Sequence, residues 1–367
     1  MTAMKPILDI AVDANVVLLV AFLLWALAQS VIVRSGLKRN YGLQLRLLRV
    51  VLVLVVVSPL LSLGAIFASQ SLWPGAPITI SDMAVASFLR GEIAMPAVEF
   101  EALLNGRNRV FEMILSGGLP WMTAALTGIV LGAVALAAQT LWRIMQVRQT
   151  VNDAYVWRRT ATTDVRLSDT VHVPFAARGL RRRHVVLPSH LLTQPQTLRI
   201  VLAHEFEHLR RGDVEWELMF EALRPVLYLN PAYLLWKRCF DRLRELNCDQ
   251  AVIEHTRITP QEYANTLLNF CDRPKPPRTV GAFNVAFLRL GSRAARTALE
   301  TRLMALRHGR RTEGGRLVFA GFALVLAAGI VLSAASVRNP SDWTQDRLTL
   351  SMVVNLERYN AYSNNGF

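Results

Sequence analysis

The chain has 367 residues, of which 52% are hydrophobic, and its formal net charge at pH 7 is +14. Such a hydrophobic share disfavours an ordinary soluble domain and favours an integral membrane protein. The positive charge by itself suggests nucleic acid, but no nucleic-acid-binding motif is visible, and we predict no direct nucleic-acid partner.

Four apolar segments approach or exceed the roughly 20 residues that a helix needs to cross a lipid bilayer. None of them carries a charged residue near its centre, and they span residues 16–33, 47–68, 120–142 and 317–337. We therefore predict an α-helical integral membrane protein with four transmembrane helices. A cleaved signal peptide stays open for the first segment, because "ALAQS" at 26–30 resembles a cleavage site, although the poorly basic head favours an uncleaved helix.

The distribution of charge predicts the orientation of these helices. The loop 34–49 carries five Lys or Arg and no acid, whereas the loop 69–119 carries three Arg and five Asp or Glu. Basic short loops mark the cytoplasmic side. We expect both termini outside and four regions, namely a three-helix membrane region 1–142, a cytoplasmic domain 143–316, the fourth transmembrane helix 317–337 and a short extracytoplasmic tail 338–367.

The cytoplasmic segment opens with short β-like pieces: "VRL" at 165–167, "VHVPF" at 171–175 and "HVVLP" at 184–188. Helical patterns follow, so we expect an inserted α+β domain. "HVVLP" is a candidate sheet edge to which an extended peptide adds as a further strand. The neighbouring "RGLRRRH", 178–184, is interpreted as a solvated or lipid-facing basic patch rather than a substrate clamp.

The stretch "TQPQTLRIVLAHEFEHLRRG" predicts a helix that holds two histidines. Thr193 is its expected cap, Pro195 suits its first turn and Gly212 ends it. At about 100° per residue, His204 and His208 lie one turn apart on the same face, where two imidazoles can bind one metal ion.

A second predicted helix offers a third ligand. "NPAYLLWKRCFDRLRELNCDQAVIEH" begins with Asn230 as a cap and carries Glu245, with Asp249 four residues later on the same face. Glu245 can ligate zinc while Asp249 accepts a hydrogen bond from a ligand imidazole. The alternative is a solvated face of salt bridges. The two helices together favour the zinc site.

Zinc hydrolysis needs a carboxylate base beside the metal, and helix geometry leaves two candidates. Glu205 and Glu207 lie about 80° to either side of the histidine face, so periodicity does not choose between them. Other residues are assigned structural roles: Asp213 as a cap in preference to an imidazole partner, and Cys248 as a packed thiol. Three further side chains are possible oxyanion donors but are better explained as packing or surface groups: Tyr228, Tyr233 and His255.

The motifs "HEFEHLRRGD", "YLNP" and "RELNCDQAV", with "VVLPSHLL" upstream, resemble the BlaR/MecR-type antirepressor metallopeptidases over nearly residues 1–340. The resemblance implies a gluzincin domain in which His204, His208 and Glu245 bind zinc and Glu205 is the general base. HtpX-type membrane proteases share HExxH but usually place the third ligand farther along. The tail 338–367 is much shorter than the penicillin-binding sensor of the best-known members, so β-lactam sensing is not implied.

This resemblance implies a zinc endopeptidase of the bacterial cytoplasmic membrane that cleaves a regulatory protein such as a transcriptional repressor. Its own chain is a second candidate substrate, with the Arg-rich stretch 289–316 as an accessible site. The expected partners are the lipid bilayer, a cytoplasmic protein substrate and an extracytoplasmic or membrane sensor, and a homodimer stays open. Two alternatives remain, an HtpX-like quality-control protease and a non-catalytic receptor or scaffold stabilised by zinc.

Overall fold

In a computed structural model of the chain, the described residues are 4–72, 80–116, 120–179, 181–271, 293–307 and 316–336. Four helices among them are long and apolar enough to cross a membrane: Leu8–Arg34, Tyr41–Ser58, Pro120–Asp153 and Arg316–Ala334. They overlap the four predicted segments, so the expectation of a helical membrane protein is confirmed. The predicted tail 338–367 and residues 289–292 and 308–315 of the Arg-rich stretch 289–316 lie outside the described residues.

The described helices and strands are numbered here in chain order. The helices are α1 (Met4–Arg34), α2 (Tyr41–Leu72), α3 (Ile80–Leu89), α4 (Ala97–Leu104), α5 (Gly106–Leu115), α6 (Pro120–Asp153), α7 (Pro195–Arg211), α8 (Asp213–Leu227), α9 (Pro231–His255), α10 (Pro260–Cys271), α11 (Arg293–Arg307) and α12 (Arg316–Ser336). The strands are β1 (Tyr155–Arg159), β2 (Thr163–Ser168), β3 (Phe175–Arg178) and β4 (Arg183–Pro188). Short 3₁₀ turns occupy Leu37–Arg39 and Ser189–Thr193.

The chain divides into two compact units, one formed by residues 1–28, 49–129 and 320–367 and the other by residues 29–48 and 130–319. In the first unit, Arg107 of α5 forms ion pairs with Asp9 (2.9 Å) and Asp13 (2.7 Å) of α1. Helix α5 therefore meets the N-terminal part of α1 within this unit.

In the second unit, the basic loop 34–49 meets the domain that follows α6. The side-chain amide of Gln250 in α9 donates to the backbone carbonyl of Arg39 at 3.4 Å. The connection between α1 and α2 therefore contacts the helix that carries Glu245 and Asp249.

The four strands form one sheet in the order β1-β2-β4-β3, with β2 and β4 parallel and the outer pairs antiparallel. "VRL" lies in β2 and "HVVLP" in β4, but only Phe175 of "VHVPF" belongs to a strand. The expectation that "HVVLP" forms an edge is wrong, because β4 lies between β2 and β3. Its apolar run from Val185 to Leu187 is fully buried, which is typical of a central strand.

The core of the second unit joins the sheet to four helices. One cluster packs the sheet on α7 and contains Val165, Leu167, Val185, Leu187, Leu191, Val201 and Leu209. A second cluster lies where α7, α9, α10 and α11 meet and contains Ile200, Cys248, Val252, Ile258, Tyr263, Leu267 and Leu306. The helix that carries both histidines is thus held from both sides by apolar contacts.

The sequence predicted roles at helix ends for four residues, and the structure agrees for three of them: Pro195, Gly212 and Asn230. Asn230 caps α9 by accepting from the Ala232 N–H at 3.0 Å, and Pro195 opens α7. Thr193 does not cap α7, because it ends the preceding 3₁₀ turn and donates instead to the His190 carbonyl at 2.8 Å. Gly212 ends α7 in the left-handed conformation, with φ of 69°, and turns the chain directly into α8.

Replacement of Gly212 tests the importance of this turn. Gly212→Ala is expected to lower the free energy of unfolding by about 1–2 kcal/mol, because a Cβ is strained in the left-handed region. Gly212→Asn should cost less, since asparagine tolerates that region better than alanine. The control is Gly128→Ala in α6, where an added Cβ meets nothing within 4 Å. Denaturant unfolding of the full-length protein in detergent measures these values, and equal stability of Gly212→Ala and wild type would contradict this account.

Candidate metal centre

The structure brings the three predicted metal ligands together inside the second unit. The Nε2 atoms of His204 and His208 lie 3.1 Å apart. Glu245 of α9 places Oε2 3.6 Å from the His204 Nε2 and Oε1 3.8 Å from the His208 Nε2. Ligand atoms that share one tetrahedral zinc are about 3.3 Å apart, given bonds of about 2.0–2.1 Å. All three side chains are buried.

The hydrogen bonds of the two imidazoles indicate which nitrogens are free. The Nδ1 of His208 lies 2.7 Å from an Asp213 carboxylate oxygen, and the Nδ1 of His204 lies 2.8 Å from the Tyr263 hydroxyl oxygen. Protons on both Nδ1 atoms leave both Nε2 lone pairs directed at each other and at Glu245. Such a convergence of electron-rich atoms fits a bound cation.

The Glu245 carboxylate supports the same interpretation. Its Oε2 is buried and accepts no hydrogen bond from any of the described residues. Its polar neighbours are the Arg302 Nη1 at 3.3 Å, as an ion pair, and the His204 Nε2 at 3.6 Å. A buried carboxylate oxygen that lies beside two imidazoles and lacks a well-aligned hydrogen-bond donor fits a metal ligand. Burial by itself raises the pKa of the Glu245 carboxyl group. The neighbouring His204 imidazole and Arg302 guanidinium outweigh this effect and hold the pKa of Glu245 well below its usual range. The residues present therefore match a two-histidine, one-carboxylate zinc site.

Asp213 is the first correction to the predicted site. The sequence favoured it as a cap, but the N-cap position of α8 belongs to Gly212, and Asp213 instead faces His208. The sharp turn at Gly212 folds the start of α8 back against the end of α7. Asp213 thus fixes the ring orientation and the tautomer of His208.

Asp249 is the second correction, since it reaches His204 only through another residue. The Asp249 Oδ1 is 3.7 Å from the His204 Nδ1, which is too long for a hydrogen bond. The Tyr263 hydroxyl lies between them and donates to Asp249 at 2.7 Å while accepting from His204. Sequence reasoning missed Tyr263. Thr259 and Glu262 form a capping box that signals α10, but not which neighbour its tyrosine contacts.

The tertiary structure distinguishes the two candidate bases. Glu207 points away from the metal ligands and is bound by Arg210 (2.9 Å) and by Arg211. Burial by itself raises the pKa of Glu207, but these two arginines outweigh that effect and bring the pKa below its ordinary value. Glu205 is not engaged in this way and lies beside His204 in a mainly apolar pocket.

Glu205 is set up to exchange a proton near neutral pH. Burial, with a further contribution from the nearby Glu245 charge, raises the pKa of Glu205 to about 7. Its carboxylate accepts a hydrogen bond from the backbone N–H of Ala176 in β3, which fixes its position. A buried carboxylate of this kind is typical of a general base.

Three possible oxyanion donors lie away from the centre, in the packing or surface roles that the sequence favoured. The Tyr233 hydroxyl donates to the Phe220 carbonyl at 2.8 Å. His255 is exposed and contacts Arg210. The Tyr228 ring packs against α6 at Gly132.

The model of the BlaR1 peptidase M56 family matches residues 7–306, which is most of the chain. The chain belongs to this family. The resemblance inferred from the motifs is thereby confirmed, and the protein is a membrane-associated metallopeptidase. No curated protein matches the chain.

A cysteine near the ligands of this M56 peptidase offers an alternative donor. The groups His204, His208 and Cys248 place their ligand atoms within 4.8 Å of one another. Yet the Cys248 Sγ lies 3.5 Å from the Nδ1 of His204, on the ring edge opposite the one that faces Glu245. Burial, with the adjacent Asp249 charge, also raises the pKa of Cys248 well above its usual range. The site therefore favours Glu245 as the third ligand and a protonated, packed thiol at Cys248.

Asp213→Asn tests the corrected role of Asp213. The substitution keeps the shape of the side chain but removes the charge that faces the His208 Nδ1. We expect zinc affinity to fall roughly 10–100-fold, as when other outer partners of metal-bound histidines are removed. Competition with a chromophoric chelator gives the affinity, and the exposed Asp169→Asn is the control for loss of one acid. Unchanged affinity in Asp213→Asn would show that Asp213 acts only as a helix start.

Cys248→Ala distinguishes the two candidate donor sets. We expect the variant to retain zinc at the wild-type stoichiometry and affinity, because the thiol lies on the wrong edge of His204. Its stability should fall by roughly 1 kcal/mol through the small cavity left in the core. Elemental analysis of the purified variant measures the zinc, and its loss would make Cys248 a ligand.

Proposed function

We propose that this M56 protein is a zinc endopeptidase whose active site faces the cytoplasm. The observation that carries the proposal is the convergence of three buried ligand atoms, the Nε2 of His204, the Nε2 of His208 and the Oε2 of Glu245. Three protein ligands leave a fourth position open for chemistry, whereas structural zinc sites usually fill all four.

The residues around these ligands supply the rest of the hydrolytic machinery. Zinc held there would polarise the peptide carbonyl and lower the pKa of a bound water toward about 7. The Glu205 carboxylate accepts a proton from the attacking water and passes it to the amine of the departing product. Its pKa of about 7 suits both steps, because the group then takes up and releases a proton readily. The Ala176 N–H keeps the carboxylate directed into the pocket.

The edge strand β3, which contacts Glu205 through Ala176, supports a peptide as the substrate. Strand β3 is the edge of the sheet on this side, and the Gly179 N–H bonds the Arg182 carbonyl at 2.9 Å to close the β3–β4 hairpin. Antiparallel alternation then directs the backbone polar groups of Ala176 and Arg178 away from β4. The Ala176 N–H binds Glu205, so the groups that face an added strand are the Ala176 carbonyl and the backbone N–H and carbonyl of Arg178. An extended peptide can add along this edge and pass the metal ligands. This role belongs to β3 and not to "HVVLP".

The orientation of the protein rests on its charge distribution. The loop 34–49 contacts α9, so its sidedness is that of the active site, and its five basic residues favour the cytoplasm. Arg107 and its partners Asp9 and Asp13 then lie outside. The resemblance to antirepressors supports a bacterial cytoplasmic membrane and a regulatory protein, such as a transcriptional repressor, as the substrate. An extracytoplasmic or membrane sensor would supply the signal.

The fold does not favour self-cleavage within residues 293–307 of the Arg-rich stretch. Residues 293–307 of that stretch form α11, in which Arg302 and Leu306 are buried. A packed helix must first unfold before it can lie as an extended peptide at the site. The accessible stretch expected from the sequence is therefore not accessible at these positions.

Glu205→Gln and Glu207→Gln test the catalytic assignment. Both should retain zinc, but Glu205→Gln should lose cleavage by about 10²–10⁴-fold, the usual contribution of a general base. Glu207→Gln should keep cleavage, because Glu207 is turned away from the ligands and paired with arginines. Mass spectrometry of new protein N-termini in cells that express each variant gives the readout. Identical sets of termini for wild type and Glu205→Gln, under conditions that activate the pathway, would contradict the protease assignment.

A further inference from the structure

Arg302 of α11 binds two acidic side chains of α9 at once. Its Nε and Nη2 donate to the two oxygens of Asp249 at 2.7 Å and 2.6 Å. Its third nitrogen, Nη1, lies 3.3 Å from Oε2 of Glu245, the oxygen that faces His204. Arg302 is 7% exposed, so these contacts are shielded from water and from salt.

Through these contacts one guanidinium orients two of the three proposed metal ligands. It reaches Glu245 directly. It reaches His204 through Asp249 and the Tyr263 hydroxyl, which are joined at 2.7 Å, and the hydroxyl in turn lies 2.8 Å from the His204 Nδ1. The planar guanidinium presents its donors in a fixed fork, so the positions of Asp249 and Glu245 are set relative to each other.

Helix α11, which carries Arg302, contains none of the three proposed metal ligands. It packs on α9 and α10 through Leu306, in the cluster that contains Cys248, Tyr263 and Leu267. Arg302 is 53 residues from Asp249 along the chain. The ligands of α7 and α9 and their orienting residue thus come from distant parts of the sequence, and the chain continues from α11 through 308–315 into the membrane helix α12.

We propose that Arg302 is a positioning residue that makes the affinity of this centre for zinc depend on α11 lying against α9 and α10. The inference rests on the proposed zinc site and adds a way to regulate it. A shift of α11 removes Arg302 from Glu245 and Asp249 and leaves two buried carboxylates with fewer partners. By thermodynamic reciprocity, zinc binding strengthens the docking of α11 to the same extent.

Arg302→Lys tests the proposal because it keeps the charge and removes the fork. The experiment uses full-length protein in detergent that carries Glu205→Gln, so that no cleavage occurs during measurement. Chelator competition should show zinc affinity about 10–100-fold weaker in Arg302→Lys than in the Glu205→Gln reference. Arg257→Lys, at an exposed arginine of the same unit, should bind zinc as the reference does.

Hydrogen exchange gives a second readout that a purely structural role would not move. Zinc should slow the exchange of backbone amides in residues 293–307 of the reference, and this zinc-dependent protection should be lost in Arg302→Lys. The metal-free proteins should show similar exchange over α7 and α9. Two results would overturn this inference without affecting the proposed zinc site. The first is amide exchange in α11 of the reference that is the same with and without zinc. The second is an affinity for zinc in Arg302→Lys equal to that of the reference.

A double variant keeps the test decisive if the lysine variant does not fold. Arg302→Met with Asp249→Leu removes both members of the buried ion pair and avoids leaving one charge unpaired. We expect this protein to fold, as judged by circular dichroism, and to bind zinc about 10–100-fold more weakly than the reference. Affinity equal to the reference would refute the role of Arg302. A reference protein that binds no zinc would contradict the proposed zinc peptidase as well.

Discussion

Two imidazole nitrogens and a carboxylate oxygen converge in the interior of the helical domain, and the surrounding side chains depend on this arrangement. His204 and His208 each direct Nδ1 outward, to Tyr263 and Asp213, so their Nε2 atoms meet 3.1 Å apart. Glu245 completes the group with Oε2, which lies 3.6 Å from the His204 Nε2 and 3.3 Å from the Arg302 Nη1. In an environment of low dielectric, such a group is costly unless a cation binds or positive side chains lie close.

Arginines from two helices meet that electrostatic requirement from behind Glu245. Arg244 contacts Glu245 at 3.2 Å and Glu217 of α8 at 2.7 Å, and Lys237 also bonds Glu217, at 2.6 Å. Arg302 of α11 contacts the other oxygen of Glu245, with its Nη1 3.3 Å from Oε2. Buried ion pairs contribute little net stability because desolvation offsets their attraction. We therefore interpret this network as a device that orients Glu245, and the apolar clusters around α7 and α9 as the main source of stability.

The sequence predicted what depends on local spacing and missed what depends on distant contacts. The i, i+4 histidines, the long apolar helices and the Asn230 cap are local features, and all are present in the structure. Arg210 and Arg211, which bind Glu207, are local partners three and four residues along α7. The contact of Glu205 with β3 is distant in sequence, so helix periodicity alone did not separate the two carboxylates. Tyr263 and Arg302 come from helices that carry no recognisable metal-binding spacing. Asp213 is close in sequence, but its role depends on the turn at Gly212.

X-ray absorption at the zinc edge of the fully loaded, full-length protein tests the central claim most directly. The account predicts a first shell of nitrogen and oxygen only, at about 2.0–2.2 Å, with scattering from two imidazole rings. A sulfur shell at about 2.3 Å would place Cys248 on the metal and contradict the assignment of Glu245 as the third ligand.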